Sequence, residues 1–152
     1  MIRTMVCTHD HQLRHDLSAS EIRPILADEQ SLLWLDLANP TPDDLRLIAG
    51  EFDFHPLALE DATKPHQRPK IDRYDRFYFL VFYAIESRDD GSRIDEHELD
   101  IFLGPNYLIT VHSGPIAEIG EGGELCSVVP GSAASPSAGD VRAVVTGDVP
   151  VG

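Results

Sequence analysis

Residues 77–85, FYFLVFYAI, are nine consecutive apolar residues, and no other stretch limits the fold as tightly. The run is far short of the ~20 residues that an apolar helix needs to cross a bilayer. It also has no polar side to turn towards water. A central strand covered by helices on each face accommodates it. Asp89-Asp90-Gly91-Ser92 then turns the chain back into IDEHELDIFL, where His97, Leu99, Ile101 and Leu103 alternate with Glu96, Glu98, Asp100 and Phe102. Gly104-Pro105-Asn106 turns once more into YLITVH. Three successive strands forming a meander are therefore expected.

Helical signals precede the meander. Ser18 followed by Glu21 is a capping-box pattern that opens a helix over 19–29, with Pro24 near its first turn. LLWLDL, 32–37, reads as a buried strand. Thr41-Pro42-Asp43-Asp44 supplies a capping hydroxyl, a first-turn proline and acids where the helix dipole favours them. Leu45, Ile48, Ala49 and Phe52 then line one helical face, and His55-Pro56 starts a further helix. Helices followed by a meander give an α/β domain with a mixed sheet layered between helices. Trp34, Phe77, Phe79 and Phe82 are expected in its core.

The chain changes character after Ser113. Eight of eleven glycines fall in the last 39 residues, which hold no aromatic residue and a single basic one, Arg142. We read 1–113 as the domain and 114–152 as a flexible Gly/Ala/Ser-rich tail. A net charge of −14 speaks against a nucleic-acid partner, which would call for clustered Lys and Arg. Cys7 and Cys126 have neither zinc-ribbon nor C-x-x-C spacing, so no disulfide framework is expected and a reducing cytoplasm fits. MIRTMVCTHDH lacks the apolar core of a signal peptide. His9, His11 and His15 form a loose cluster of metal-ligand type, a pattern that is usually solvated.

The chemistry concentrates in EFDFHPLALEDATKPHQRPKIDRYDRF, 51–77. Glu60 and Asp61 fall in the last turn of the helix that Pro56 starts, where unpaired carbonyls disfavour each carboxylate by roughly 0.3–1 kcal/mol. Adjacent helical side chains point about 100° apart, so the two do not share a proton. A hard divalent cation would relieve both penalties. Equally, Lys64, Arg68 or Lys70 could fold back and neutralise the pair. A metal-hydrolase site from His55, His66 and His112 with the two acids is conceivable, but no H-E-x-x-H, G-x-S-x-G or phosphate-binding glycine loop occurs. No enzyme is expected.

The series WLDLANPTPDDLRLIAGEFDFHPLALEDATKPHQRPKIDRYDRFYFLVFYAI, then ELDIFLGPNYLITVH, resembles the N-terminal cytoplasmic domain of CorA-type divalent-cation transporters from about Leu33 to Pro115. HPL-x-x-ED followed by QRPK and a tyrosine is the most specific part. The resemblance implies an α/β/α sandwich at the cytoplasmic face of the cell membrane, within a homopentamer. It also implies regulatory sensing of Mg2+, with Co2+, Zn2+ or Ni2+ as related ions, through carboxylates that face a neighbouring subunit. The family's sensing acids on this domain fall at Glu60 and Asp61. His55, Pro56, Gln67, Arg68, Pro69 and Lys70 match the pattern and are assigned structural roles. The family's stalk helix and its two membrane spans with a Gly-Met-Asn signature are not in this sequence. The chain therefore reads as a truncated or shortened relative, or one whose tail is out of frame. Alternative readings are a non-transporting fragment or a protein-interaction module.

Overall fold

The computed structural model describes residues 1–10, 12–87, 93–114, 116 and 119. The elements run β1 (Ile2–Cys7), β2 (Leu13–His15), α1 (Ala19–Ala27), β3 (Leu32–Ala38), α2 (Pro42–Phe52), α3 (Pro56–Ala62), β4 (Lys70–Arg73), β5 (Tyr78–Ser87), β6 (Ile94–Leu103) and β7 (Tyr107–His112). Among the described residues the strands join one seven-stranded sheet in the order β2-β1-β3-β7-β6-β5-β4. The β5-β6-β7 meander is antiparallel as expected, and β3 pairs with β7 in parallel. The sheet is therefore mixed. The Asp89–Ser92 turn lies outside the described residues, as does residue 11 of the N-terminal histidine cluster.

Local chemistry explains the helix starts. Glu21 reaches back to accept from the Ser18 backbone N–H at 2.9 Å, and α1 ends at Ala27 because Asp28 leaves helical geometry. Hydrogen bonds from Ser18 and Arg14 hold the Glu21 carboxyl at a pKa of about 2. At α2, Thr41 Oγ1 accepts from the Asp44 N–H at 3.2 Å, and Asp44 returns the bond to the Thr41 N–H at 2.8 Å. Thr41→Ala is expected to lower stability by about 1 kcal/mol, the usual cost of a lost N-cap, with the urea midpoint as the measurement. A result within error of zero would show that the Asp44 half of the box suffices.

The central strand is β7, wholly buried along its length. This corrects the expectation for FYFLVFYAI. β5 lies next to the edge, because the short strand KIDR forms an unanticipated β4 outside it. β5 is covered unevenly in consequence: Phe79 and Val81 are inaccessible, whereas Phe82 is 38% exposed and Ile85 is 65% exposed. Phe82 is thus not a core residue. Trp34, Phe77 and Phe79 are.

The two-residue alternation of the strands sorts the core into two layers. Leu33, Leu35, Leu37, Phe79, Val81, Phe102, Ile109 and Val111 face α1, α2 and α3, packing on Ile22, Ile48, Phe52 and Ala58. Trp34, Leu80, Leu99, Ile101 and Leu108 occupy the opposite face, where Ile116 and Ile119 pack on them. These two residues lie beyond Ser113, where the sequence changes character. Apart from Gly114, the rest of the tail is outside the described residues. At the turn before β7, a Cβ on Gly104 would come within 2.1 Å of the Tyr107 ring, so only glycine fits.

A buried polar network joins β1, β3 and β7. Asp36 accepts from Arg3 at 2.6 Å, from Thr110 Oγ1 at 2.7 Å and from His112 Nε2 at 3.0 Å, and Trp34 Nε1 donates to Thr110. Burial alone would raise the Asp36 pKa, but the bonds from His112, Arg3 and Thr110 outweigh it and hold the group below its ordinary value. The hydrogen bond to Asp36 raises His112, against its own burial. Among the described residues there is no free cysteine. Cys7, inaccessible in β1, is disulfide-bonded, contrary to the expectation of reduced thiols. Cys126 lies outside the described residues. No helix among them is long and apolar enough to cross a membrane.

Candidate functional site

Helix α3 sets the geometry of the acid pair. His55 precedes it with Nδ1 accepting from the Leu57 N–H at 3.2 Å, Pro56 fills the first helical position, and the helix ends after seven residues. Glu60 and Asp61 occupy the last turn, as expected. Their unfavourable dipole position is moderated by groups that cap the free carbonyls. Thr63 Oγ1 donates to Glu60 O at 2.7 Å, and the Gln67 amide donates to Asp61 O and to Lys64 O. Gln67 in the QRPK turn is thus a C-terminal cap of α3, and Tyr83 Oη anchors it in turn by donating to its carbonyl at 2.5 Å.

The two acids serve different directions. Glu60, more than half exposed, pairs with Lys64 at 2.7 Å. Asp61, less exposed, pairs with Lys70 at 2.5 Å, and Lys64 lies 3.9 Å from its other oxygen. Lys70 is also held by Asp72 at 2.8 Å and sits 5.4 Å from the centroid of the Phe79 ring. The two carboxylates, Asp61 first, raise the Lys70 pKa, and Glu60 raises that of Lys64. Both acids have lysine partners within the chain, the pairing that the following basic turn made available. Each exposed pair of this kind stabilises by only about 0.3–0.5 kcal/mol, so a competing cation meets a small barrier.

Beneath this corner lie two further carboxylates from β6 that sequence reasoning did not connect with it. Glu98 is gripped by the backbone N–H of His66 at 2.5 Å, that of Gln67 at 3.3 Å and Tyr83 Oη at 3.1 Å. His66 takes a left-handed φ of 62° to present its N–H. Asp100 is 5% exposed, and its Oδ1 has no hydrogen-bond partner. Burial pushes its pKa up to about 8, Glu98 and Asp61 push the same way, and Lys70 opposes them. The available signal was the alternation that placed Asp100 on the same face as Phe102, an acid amid core positions.

His55, His66 and His112 do not come together. His55 caps α3, His66 acts through its backbone, and His112 is buried on the other face with Nε2 against Asp36 and Nδ1 against Gly114 O. Among the described residues no group of three or more His, Cys, Asp or Glu side chains is arranged to hold a metal ion. Any ion at Glu60 and Asp61 needs oxygen ligands from elsewhere, since such ions take six or more.

Comparison with known proteins places the corner in context. Residues 29–124 match the family described as CorA-like Mg2+ transporter protein. Protein YfjQ of Bacillus subtilis (strain 168) is 33% identical over 113 residues, covering 74% of this chain and 33% of that protein. The magnesium transporter ALR1 of Saccharomyces cerevisiae is 32% identical over 85 residues, covering 55% of this chain and 10% of that protein. The structure of the soluble domain of CorA from Methanocaldococcus jannaschii superposes with a TM-score of 0.59 at 20% identity, over 84% of this chain and 46% of that one. The fold is that of the CorA soluble domain, and this chain spans about a third of the length of the Bacillus relative. With well over half of its residues matched, this protein belongs to the CorA-like Mg2+ transporter family.

Proposed function

We propose that this chain is a soluble, divalent-cation-responsive domain of the CorA type, with Glu60 and Asp61 as metal ligands at a boundary between copies. Mg2+ is the primary ion, with Co2+, Zn2+ and Ni2+ as alternatives for the same oxygen donors. The single observation that carries this reading is the family match, which runs through the α3 corner. The corner supports it: Glu60 points outwards on an exposed turn and is held by one flexible lysine, a partner that an ion can replace. The ion and a neighbouring copy then complete the coordination, in a homopentamer. When the ion is lost, like charges face each other across the boundary and loosen it. Transport belongs to a longer protein with membrane spans, through which the domain sits at the cytoplasmic face. The reading includes no enzymatic role.

The second reading, a domain whose corner is only salt-bridged and which binds partners or nothing, is favoured by the intrachain pairs of Lys64 and Lys70. Thermal unfolding with and without millimolar MgCl2 separates the two. A ligand at ten times its Kd adds about 1.4 kcal/mol, and Glu60→Ala with Asp61→Ala is expected to remove that gain. Identical melting in Mg2+ and in matched ionic strength would leave only the salt-bridged corner.

A further inference from the structure

Asp100 stands apart from the other acids of the α3–β4 corner because its Oδ1 is buried without a hydrogen bond. Strand register places it. Lys70 on β4 is opposite Val81 on β5, and Val81 is opposite Asp100 on β6. Side chains directly opposite one another share a face, so Lys70, Val81 and Asp100 form one row under α3. Neighbouring strands lie about 4.8 Å apart, so the Lys70 and Asp100 backbones are roughly 10 Å apart. An extended lysine and an aspartate together can span that distance across Val81. Lys70 is meanwhile shared between Asp61 and Asp72.

We propose that Asp100 is a proton-controlled competitor for Lys70. While its carboxyl is neutral, Lys70 stays with Asp61 and Asp72; once the proton leaves, the buried carboxylate draws the ammonium inwards and releases Asp61. The other groups facing Asp100 set the direction. Glu98 on its own strand and Asp61 on α3 favour the neutral form, and Lys70 favours the ionised one. Tyr83 on β5 is hydrogen-bonded to Glu98 and has its own pKa raised by burial and by that bond, so it stays neutral through this range. From β7 the opposing residue is Val111, which does not titrate. The α3 corner thus carries its own cation, which is withdrawn as pH rises. Extended to metal binding, and resting there on the reading of Glu60 and Asp61 as ligands, a freed Asp61 binds a divalent ion more tightly at high pH. By linkage, the ion expels the Asp100 proton.

The test is a metal-free pH titration of the whole chain followed by carboxyl carbon and lysine Nζ NMR. The expected result is a midpoint for Asp100 near pH 8, with the Asp61 and Lys70 signals moving at that same midpoint. Asp100→Asn is expected to abolish their movement. Lys70→Met is expected to shift the Asp100 midpoint upwards, because a cation that favours ionisation is gone. An Asp100 midpoint in the ordinary carboxylate range, or Asp61 and Lys70 signals that ignore it, overturns the switch. Because no metal is present, failure of the Mg2+ melting experiment leaves this result intact, and the converse also holds.

Discussion

Asp100→Asn is expected to raise stability at pH 8.5 by on the order of 3–6 kcal/mol, against about 1.5 kcal/mol at pH 5 and almost nothing at pH 3. The folded pKa is about 8 against an ordinary value of 3.8, chiefly because burial penalises the charged form. Between these two values the folded chain holds a proton that the unfolded chain has released. Stability from this group is therefore complete below about pH 4 and is lost progressively until pH passes about 8. At ~1.4 kcal/mol per pKa unit the whole displacement sets the upper end of the expected range. Asparagine has the same shape and no proton to lose, so its curve lacks this slope. His112, raised above its ordinary 6.5, contributes stability that is likewise lost as pH rises past that value, and it is common to both proteins. The difference between the two urea-midpoint curves from pH 5 to 9 therefore isolates Asp100. Parallel curves would mean that the buried carboxyl is solvated and ordinary.

Sequence and structure agree where one local contact decides the outcome. Thr41 with Asp44, Glu21 with Ser18, and His55 with Pro56 each state a helix start within four residues, and the chain obeys all three. The acid pair was legible as two carboxylates at a helix end aimed in different directions. Its partners were legible only as a short set of candidates, since Lys64 and Lys70 sit on the following turn and strand. What could not be read was register. Lys70 and Asp100 are thirty residues apart, and only the pairing of β4 with β5 and of β5 with β6 brings them into one row. β4 itself is four residues long with one apolar side chain inside it, too little pattern to announce a strand. Without β4, the run FYFLVFYAI has the composition of a sheet centre. With β4, it lies one strand in from the edge, and its residues alternate between core and surface.

That alternation gives phenylalanines on adjacent strands very different surroundings. Phe102→Ala is expected to cost about 3–5 kcal/mol, and Phe82→Ala under about 1 kcal/mol, although both are strand phenylalanines on neighbouring strands. The Phe102 ring is 1% exposed and lies 4.4 Å from the centroid of Phe54, 5.0 Å from Phe79 and 6.0 Å from Phe77. Phe54 belongs to the connection between α2 and α3, so this aromatic group fastens the helical layer to the sheet beside the acid corner. Truncating Phe102 removes its apolar burial and leaves a cavity that three rigid rings cannot close. Phe82, on the opposite face and 38% exposed, leaves a hollow that water fills. In a domain with a total stability of roughly 5–15 kcal/mol, the first change lowers Tm by on the order of 10 °C or more and the second barely moves it. Equal losses from the two would show that the Phe82 face is covered as tightly as the helical one, and the layering of the sheet would have to be redrawn.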